Sequence, residues 1–171
     1  MCKNNRMRKI FSLLISALIL LSCSGSQQRI RKQILDIAGE YALGNLTDGK
    51  KKVLENGLIT FSGEMKTYII DTSRIFIGQL DDDSLSDAII SLFPFENNYE
   101  VTTEHLVTIN NNGRLMLVRS LESDMRIISV EDGIITAEIP EHSRNSPLFN
   151  CPSCWEVVKY RFINGELVKT E

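Results

Sequence analysis

The sequence lacks the features that most readily reveal a function. Its 171 residues contain 19 Lys and Arg against 22 Asp and Glu, so it has no surplus of the basic side chains that nucleic-acid-binding proteins direct at phosphates. It contains no Gly-x-Ser-x-Gly, His-Glu-x-x-His, P-loop or Gly-x-Gly-x-x-Gly motif. We therefore expect no nucleic-acid partner, identify no catalytic residues and expect a protein that is not an enzyme.

The longest apolar stretch is also short. It runs from Ile10 to Leu21, about 12 residues, whereas a helix needs about 20 to span a bilayer. Basic residues ending at Lys9 precede it, and the small residue Ser22 follows it. This order is typical of a secretory signal peptide. An uncleaved membrane helix is the alternative.

The segment Leu20-Leu21-Ser22-Cys23 resembles the lipobox of bacterial lipoproteins, in which a small residue precedes the Cys that receives lipid. The resemblance implies a signal peptide at residues 1–22, cleavage before Cys23, and a diacylglycerol thioether with a further acyl chain on Cys23. Two or more acyl chains anchor a protein stably, since each buried CH₂ contributes about 0.8 kcal/mol. The lipid bilayer would be a partner through Cys23, in the bacterial cell envelope.

The rest of the chain is expected to form one domain. Residues 23–171 carry a formal charge of −7, four units below the −3 of the whole chain, because residues 1–22 hold four basic side chains and no acid. Residues 23–28 are polar and predict a lipidated tether, and residues 29–171 contain no linker or repeat. Some bacterial surface lipoproteins carry acids directly after the lipidated Cys. Here the first acid is Asp36, which favours a periplasm-facing protein.

Hydrophobic periodicity predicts an N-terminal helix from Gln28 to Leu43, ending at Gly44-Asn45. Its apolar face comprises Ile30, Ile34, Ile37, Ala38 and Tyr41. Such a face most often packs on the domain's own sheet.

Tight-turn signals separate the short apolar segments that follow the helix. They are Glu55-Asn56-Gly57, Asp71-Thr72, Asn110 to Gly113, Glu131-Asp132-Gly133 and Asn164-Gly165. Asn-Gly and Asp-Gly favour the type I′ turns of antiparallel hairpins. The predicted fold class is α+β, with one N-terminal helix packed on a mostly antiparallel, meander-like β-sheet or partly closed barrel of about eight to ten strands.

An Asp-rich segment resembles the Gly-Asp-Leu-Asn-Gly-Asp-Gly-x-x-Asp-Ala loop of exported proteins related to FG-GAP repeats. The resemblance places Asp81, Asp83 and Asp87 at ligand positions of a Ca²⁺ loop, and Ca²⁺ takes 6–8 oxygen ligands. The first ligand position holds Gln79 instead of Asp, and the turn Gly is missing. The alternative is a solvated turn whose Asp side chains accept hydrogen bonds from nearby backbone N–H groups.

A group of exported bacterial proteins has a similar order of parts: a lipobox, a helix, an Asp-rich strand reading Asp-Ala-Ile, and a Cys-Pro-Ser element. Here the strand begins at Asp87-Ala88-Ile89, and the element is Cys151-Pro152-Ser153. The match spans most of residues 23–171. It implies a shared fold and carries no reaction with it.

Cys151 and Cys154 remain once Cys2 leaves with the signal peptide and Cys23 receives lipid. In an oxidising compartment a structural disulfide between them is favoured. A redox site would need a helix after the pair to lower the thiol pKa, but the residues after Cys154 alternate as a strand. A zinc site needs two more Cys or His ligands. The chain offers only His105 and His142, and His105 has the register of a partly buried sheet residue, so zinc is less favoured than a disulfide.

These observations favour a non-enzymatic, membrane-tethered envelope protein that binds a protein or a small ligand and needs no cofactor. Two other functions stay open. One is a Ca²⁺-dependent exported binding module built on Asp81, Asp83 and Asp87, and the other is a thiol–disulfide redox protein using Cys151 and Cys154.

Overall fold

The computed structural model describes residues 25–53, 56–97, 99–140 and 155–170. Residues 25–44 form a helix, α1. Eleven strands follow it within the described residues: β1 Lys50–Val53, β2 Leu58–Ser62, β3 Lys66–Gly78, β4 Asp87–Glu96, β5 Tyr99–Glu100, β6 Glu104–Asn111, β7 Arg114–Glu122, β8 Arg126–Glu131, β9 Ile134–Pro140, β10 Trp155–Ile163 and β11 Glu166–Lys169.

The strands pair into two antiparallel sheets. The large sheet has the order β1-β2-β3-β4-β6-β7, with β5 paired to β4, and the small sheet has the order β11-β10-β9-β8. The predicted α+β fold, with one N-terminal helix on an antiparallel meander, is confirmed. The described strands form two open sheets instead of a partly closed barrel, and they number eleven instead of eight to ten.

Three hairpins turn as their sequences predict. Asn112, Asp132 and Asn164 have φ between 51 and 53°, and each is followed by a Gly with φ between 73 and 90°. Positive φ at both central residues is the requirement of a type I′ turn. These turns join β6 to β7, β8 to β9 and β10 to β11.

The turn predicted at Asp71-Thr72 was wrong. β3 continues through it, and the register between β3 and β4 shifts between Ile70 and Ile75. The Asp71 side chain accepts hydrogen bonds from the backbone N–H and the hydroxyl of Ser73, at 2.9 and 2.6 Å. The local polar groups thus form an irregularity inside one strand, which satisfies them without reversing the chain.

The helix is longer than predicted. Residues 25–28, which belong to the predicted tether over residues 23–28, are helical and exposed, so the described helix begins three residues before the predicted start at Gln28. An exposed first turn needs no apolar face, and Gln is a good helix former. The residues before Ile30, the first buried residue of the helix, therefore carry no hydrophobic periodicity that marks where the helix begins. The predicted end near Gly44 is confirmed.

The large sheet is covered on both faces. On one face, Ile34 and Ala38 of α1 pack in a cluster that includes Ile90 of β4. On the other face, Ile89 packs in a second cluster that includes Ile135 of the small sheet. The molecule is therefore layered as helix, large sheet and small sheet, and β4 lies at its centre with Asp87 to Leu92 all buried.

The orientation of α1 distinguishes two ends of the domain. Near its N-terminus, the Gln33 amide donates to the Gly113 carbonyl at 3.1 Å and accepts from the Leu115 N–H at 2.7 Å, beside the β6–β7 turn. Near its C-terminus, the Tyr41 hydroxyl lies 3.0 Å from that of Ser120, at the other end of β7. We call these the near end and the far end.

Candidate functional site

A cleft opens at the far end, between the large sheet and the start of the small sheet. Its volume is about 860 Å³, within the range of small-molecule sites. From the large sheet it is lined by Arg74, Ser91, Phe93 and His105, from the small sheet by Arg126, Ile127, Pro140 and Trp155, and from the connections by Val101, Thr102, Thr103, Asp124 and Met125.

Two Arg–aromatic pairs form its walls. The guanidinium carbon of Arg74 lies 5.5 Å from the centre of the Phe93 ring, and that of Arg126 lies 4.3 Å from the Trp155 ring. Both distances suit cation–π contacts. The two Arg side chains are 40% and 48% exposed, so each guanidinium group rests on a ring while it faces solvent.

The floor is polar and uncharged. Ser91 and His105 lie opposite each other on β4 and β6, both buried, with the Ser91 hydroxyl 2.9 Å from His105 Nδ1. Burial lowers the pKa of His105 to about 4, against smaller opposing effects from the backbone of Met125 and Ser123. His105 is therefore neutral at pH 7, and among the described residues its Nε2 atom has no hydrogen-bond partner.

A Ser–His pair can activate a nucleophile when a third group orients the His. Among the described residues no carboxylate hydrogen-bonds His105. A group with a pKa near 4 is also a poor general base at neutral pH, because the best catalytic pKa lies near the working pH. The arrangement suits a neutral hydrogen-bonding surface at the bottom of a binding site.

The predicted Ca²⁺ ligands are engaged with the backbone. Asp87 is fully buried, and its carboxylate accepts the N–H groups of Leu80 at 2.7 Å and Asn110 at 2.8 Å. Burial raises the pKa of Asp87, against the opposing effect of these bonds.

The other two predicted ligands bond within the turn. The Asp81 carboxylate accepts the N–H of Asp83 at 3.1 Å, and the Asp83 carboxylate accepts that of Leu85 at 2.6 Å. In the part of the chain that the structure describes, no group of three or more His, Cys, Asp or Glu is placed to hold a metal ion. Asp81, Asp83 and Asp87 are thus not brought together as a ligand set.

The predicted lipidation and disulfide residues, Cys23, Cys151 and Cys154, lie outside the described residues. A strand, β10, begins at Trp155 directly after Cys154. This is the strand that the alternating sequence predicts. It does not offer the helix N-terminus that a thioredoxin-like redox site needs.

Sequence reasoning missed the cleft. Its residues come from six strands, β3, β4, β6, β8, β9 and β10, and from the connections between strands, and no motif links them. The one signal in the sequence was Trp155, the only Trp of the chain, placed where β10 begins.

Comparison of the chain with protein-family models, curated proteins and solved structures finds no match. The resemblance to exported bacterial lipoproteins therefore stays a prediction. No helix in the described ranges has the length and apolar character required to cross a membrane.

Proposed function

We propose that this protein is a lipid-anchored lipoprotein of the bacterial cell envelope that binds a small ligand in the far-end cleft. The observation that carries the proposal is the position of the cleft relative to α1. The described part of the helix starts at residue 25, two residues after the proposed lipidated Cys23. The cleft lies at the other end of the domain.

The distance between these ends is set by the helix. At 1.5 Å per residue, residues 25–44 extend about 30 Å from the anchor. A lipid on Cys23 would place the near end at the bilayer and direct the cleft away from it, open to the periplasm. The formal charge of −7 on residues 23–171 gives the domain no general attraction to anionic lipids that would draw it flat onto the surface.

Labelling and fractionation test the anchor. With Cys23→Ala, we expect no incorporation of radiolabelled palmitate. We also expect that the cleaved protein no longer appears in the membrane fraction. Cys2→Ala is the matched control, since Cys2 lies in the proposed signal peptide, and it should be lipidated normally. Continued palmitate incorporation into Cys23→Ala would refute the assignment.

Fluorescence quenching tests the orientation. In vesicles that contain lipids brominated in their acyl chains, Trp155 of the lipidated protein should stay unquenched, because the cleft faces away from the bilayer. The control carries Gln27→Trp in a Trp155→Phe background. Its Trp lies in the first described turns of α1 and should be quenched. Equal quenching of the two would contradict the proposed orientation.

We also propose a disulfide between Cys151 and Cys154. The oxidising compartment supports it, and so does the strand that follows the pair. It would hold the chain just before Trp155, which lines the cleft. Mass spectrometry should show a gain of two hydrogens on reduction, whereas two free thiols before reduction would refute the bond. The Ca²⁺-dependent and redox functions gain no supporting observation from the described residues.

A further inference from the structure

The two guanidinium groups of the cleft retain donors for a ligand. Arg74 Nε lies 3.7 Å from Asp71, and an Arg126 terminal nitrogen lies 3.7 Å from Glu138. Both separations exceed the 2.7–3.2 Å of an N–H···O hydrogen bond. Asp71 accepts the two hydrogen bonds from Ser73 on Oδ1, and its other oxygen, Oδ2, is the one that lies 3.7 Å from Arg74.

Each guanidinium group lies within cation–π distance of an aromatic ring, which limits its movement. A guanidinium resting on a ring keeps its in-plane N–H donors free, and the fixed fork matches the two oxygens of a carboxylate or phosphate. Arg74 rests on Phe93, and Arg126 rests on Trp155. Less entropy is lost on binding because the donors are already held.

The residues that line the cleft include more basic than acidic side chains. Its lining includes two Arg residues and one acid, Asp124, whereas the whole chain carries a formal charge of −3. Asp71 and Glu138, which lie 3.7 Å from the two guanidinium groups, offset much of this charge. A small anion would therefore be held by hydrogen bonds from the two guanidinium groups more than by a general positive field. The floor adds no charge, because burial lowers the pKa of His105 to about 4.

The remaining surface is apolar and aromatic. Phe93, Trp155, Met125 and Ile127 all line the cleft, and aromatic walls favour planar apolar groups. A volume of about 860 Å³ fits a small molecule.

Building on the proposed function, we infer that the cleft selects a small ligand in which a carboxylate or phosphate is joined to a planar apolar group. Arg74 and Arg126 bind the anionic oxygens. Phe93 and Trp155 bind the planar group, and the hydroxyl of Ser91 offers a neutral hydrogen bond at the base.

Trp155 is the only Trp of the chain, so intrinsic fluorescence reports directly from the cleft. Four probes separate the contributions: phenyl phosphate, benzoate, benzyl alcohol and inorganic phosphate. Phenyl phosphate or benzoate should give a saturable change in Trp155 fluorescence. The concentrations needed should be about tenfold or more below those of benzyl alcohol or inorganic phosphate, because hydrogen bonds to charged groups contribute about 1.5–3 kcal/mol. The ratio of the affinities for phenyl phosphate and benzoate shows whether the cleft prefers a phosphate or a carboxylate.

Arg74→Gln and Arg126→Gln should each lower the affinity for the preferred anionic probe by about tenfold and leave the affinity for benzyl alcohol nearly unchanged. Arg119→Gln, on the exposed face of β7 outside the cleft, is the matched control and should have no effect. Thermal melts verify that the variants fold.

Two results overturn the inference. If benzyl alcohol binds as tightly as the anionic probes and both Arg variants bind all probes as the parent does, the cleft binds apolar ligands. The proposed ligand-binding function would then hold, but the preference for an anion would be wrong. If none of the four probes gives a saturable response, the selectivity inferred here is wrong, and ligand retention by the native protein, described below, decides separately whether the cleft binds at all.

Discussion

His105 lies between the two sheets with 1% of its surface exposed, and burial lowers its pKa to about 4 from an ordinary value of 6.5. Between these values the unfolded chain binds a proton that the folded chain does not. Stability therefore falls as the pH is lowered through this window. The stability that His105 contributes is fully present above pH 6.5 and is lost by about pH 4.

We expect this effect to reach about 3 kcal/mol, since each pKa unit corresponds to 1.36 kcal/mol. Denaturant unfolding at pH 7.5 and pH 4.5 measures it, and His105→Gln is the comparison variant because Gln does not titrate. The loss on acidification should be smaller in the variant by about that amount. An equal loss in both proteins would show that His105 does not govern acid stability.

A buried ion pair lies on the helix side of the large sheet. Glu104 is 5% exposed, and one of its carboxylate oxygens accepts from the Tyr68 hydroxyl at 3.2 Å and from Lys66 Nζ at 3.3 Å. Lys66 also lies 4.6 Å from the centre of the Tyr68 ring. The ammonium group is thus the main compensation for a carboxylate that lies in the interior.

Lys66→Met should destabilise the protein by about 3 kcal/mol or more, because it leaves the charge of Glu104 buried and uncompensated. The double variant Lys66→Met with Glu104→Leu should recover much of this loss, since two apolar groups replace both charges. Denaturant unfolding provides the free energies. A double variant less stable than the single one would contradict this account of the pair.

At the scale of elements, Gly78 fixes how closely the two sheets approach. A Cβ atom at this position would lie 2.5 Å from the carbonyl oxygen of Val130 and 2.7 Å from its side chain. β3 and β8 therefore touch through their backbones at this crossing.

Gly78→Ala should force β3 and β8 apart and cost roughly 1–3 kcal/mol, as overpacking does elsewhere. Gly44→Ala is the control, because nothing lies within 4 Å of its Cβ position. Thermal melts should show a lower Tm for the first variant only. Equal Tm values for the two would show that the crossing adjusts freely.

The elements themselves were largely predictable from sequence. Helical periodicity located α1, and the Asn-Gly and Asp-Gly pairs located three hairpins, because both signals act over a few residues. Asp71-Thr72 was misread since the same polar residues serve a turn or an irregular strand. The cleft was not predictable, because its two Arg–aromatic walls belong to different sheets and border one cleft only when the sheets pack.

At the scale of the whole molecule, the proposal joins an anchor at one end to a binding site at the other. The near end holds the start of α1, the β6–β7 turn and the Asp-rich turn that contains Asp81 and Asp83. The far end holds the cleft with its Arg–aromatic walls. Under the proposed function this division would separate membrane attachment from ligand recognition, so we expect a substitution at one end to leave the other end unchanged.

Native mass spectrometry of the protein extracted in detergent from its own envelope tests the central claim most directly. We expect a small-molecule adduct on the parent protein and on Val157→Ala, an exposed residue of β10 outside the cleft. Trp155→Ala, which removes a wall of the cleft, should abolish the adduct while remaining folded. The absence of any adduct on the parent, or an adduct retained equally by Trp155→Ala, would contradict the assignment of this cleft as a ligand-binding site.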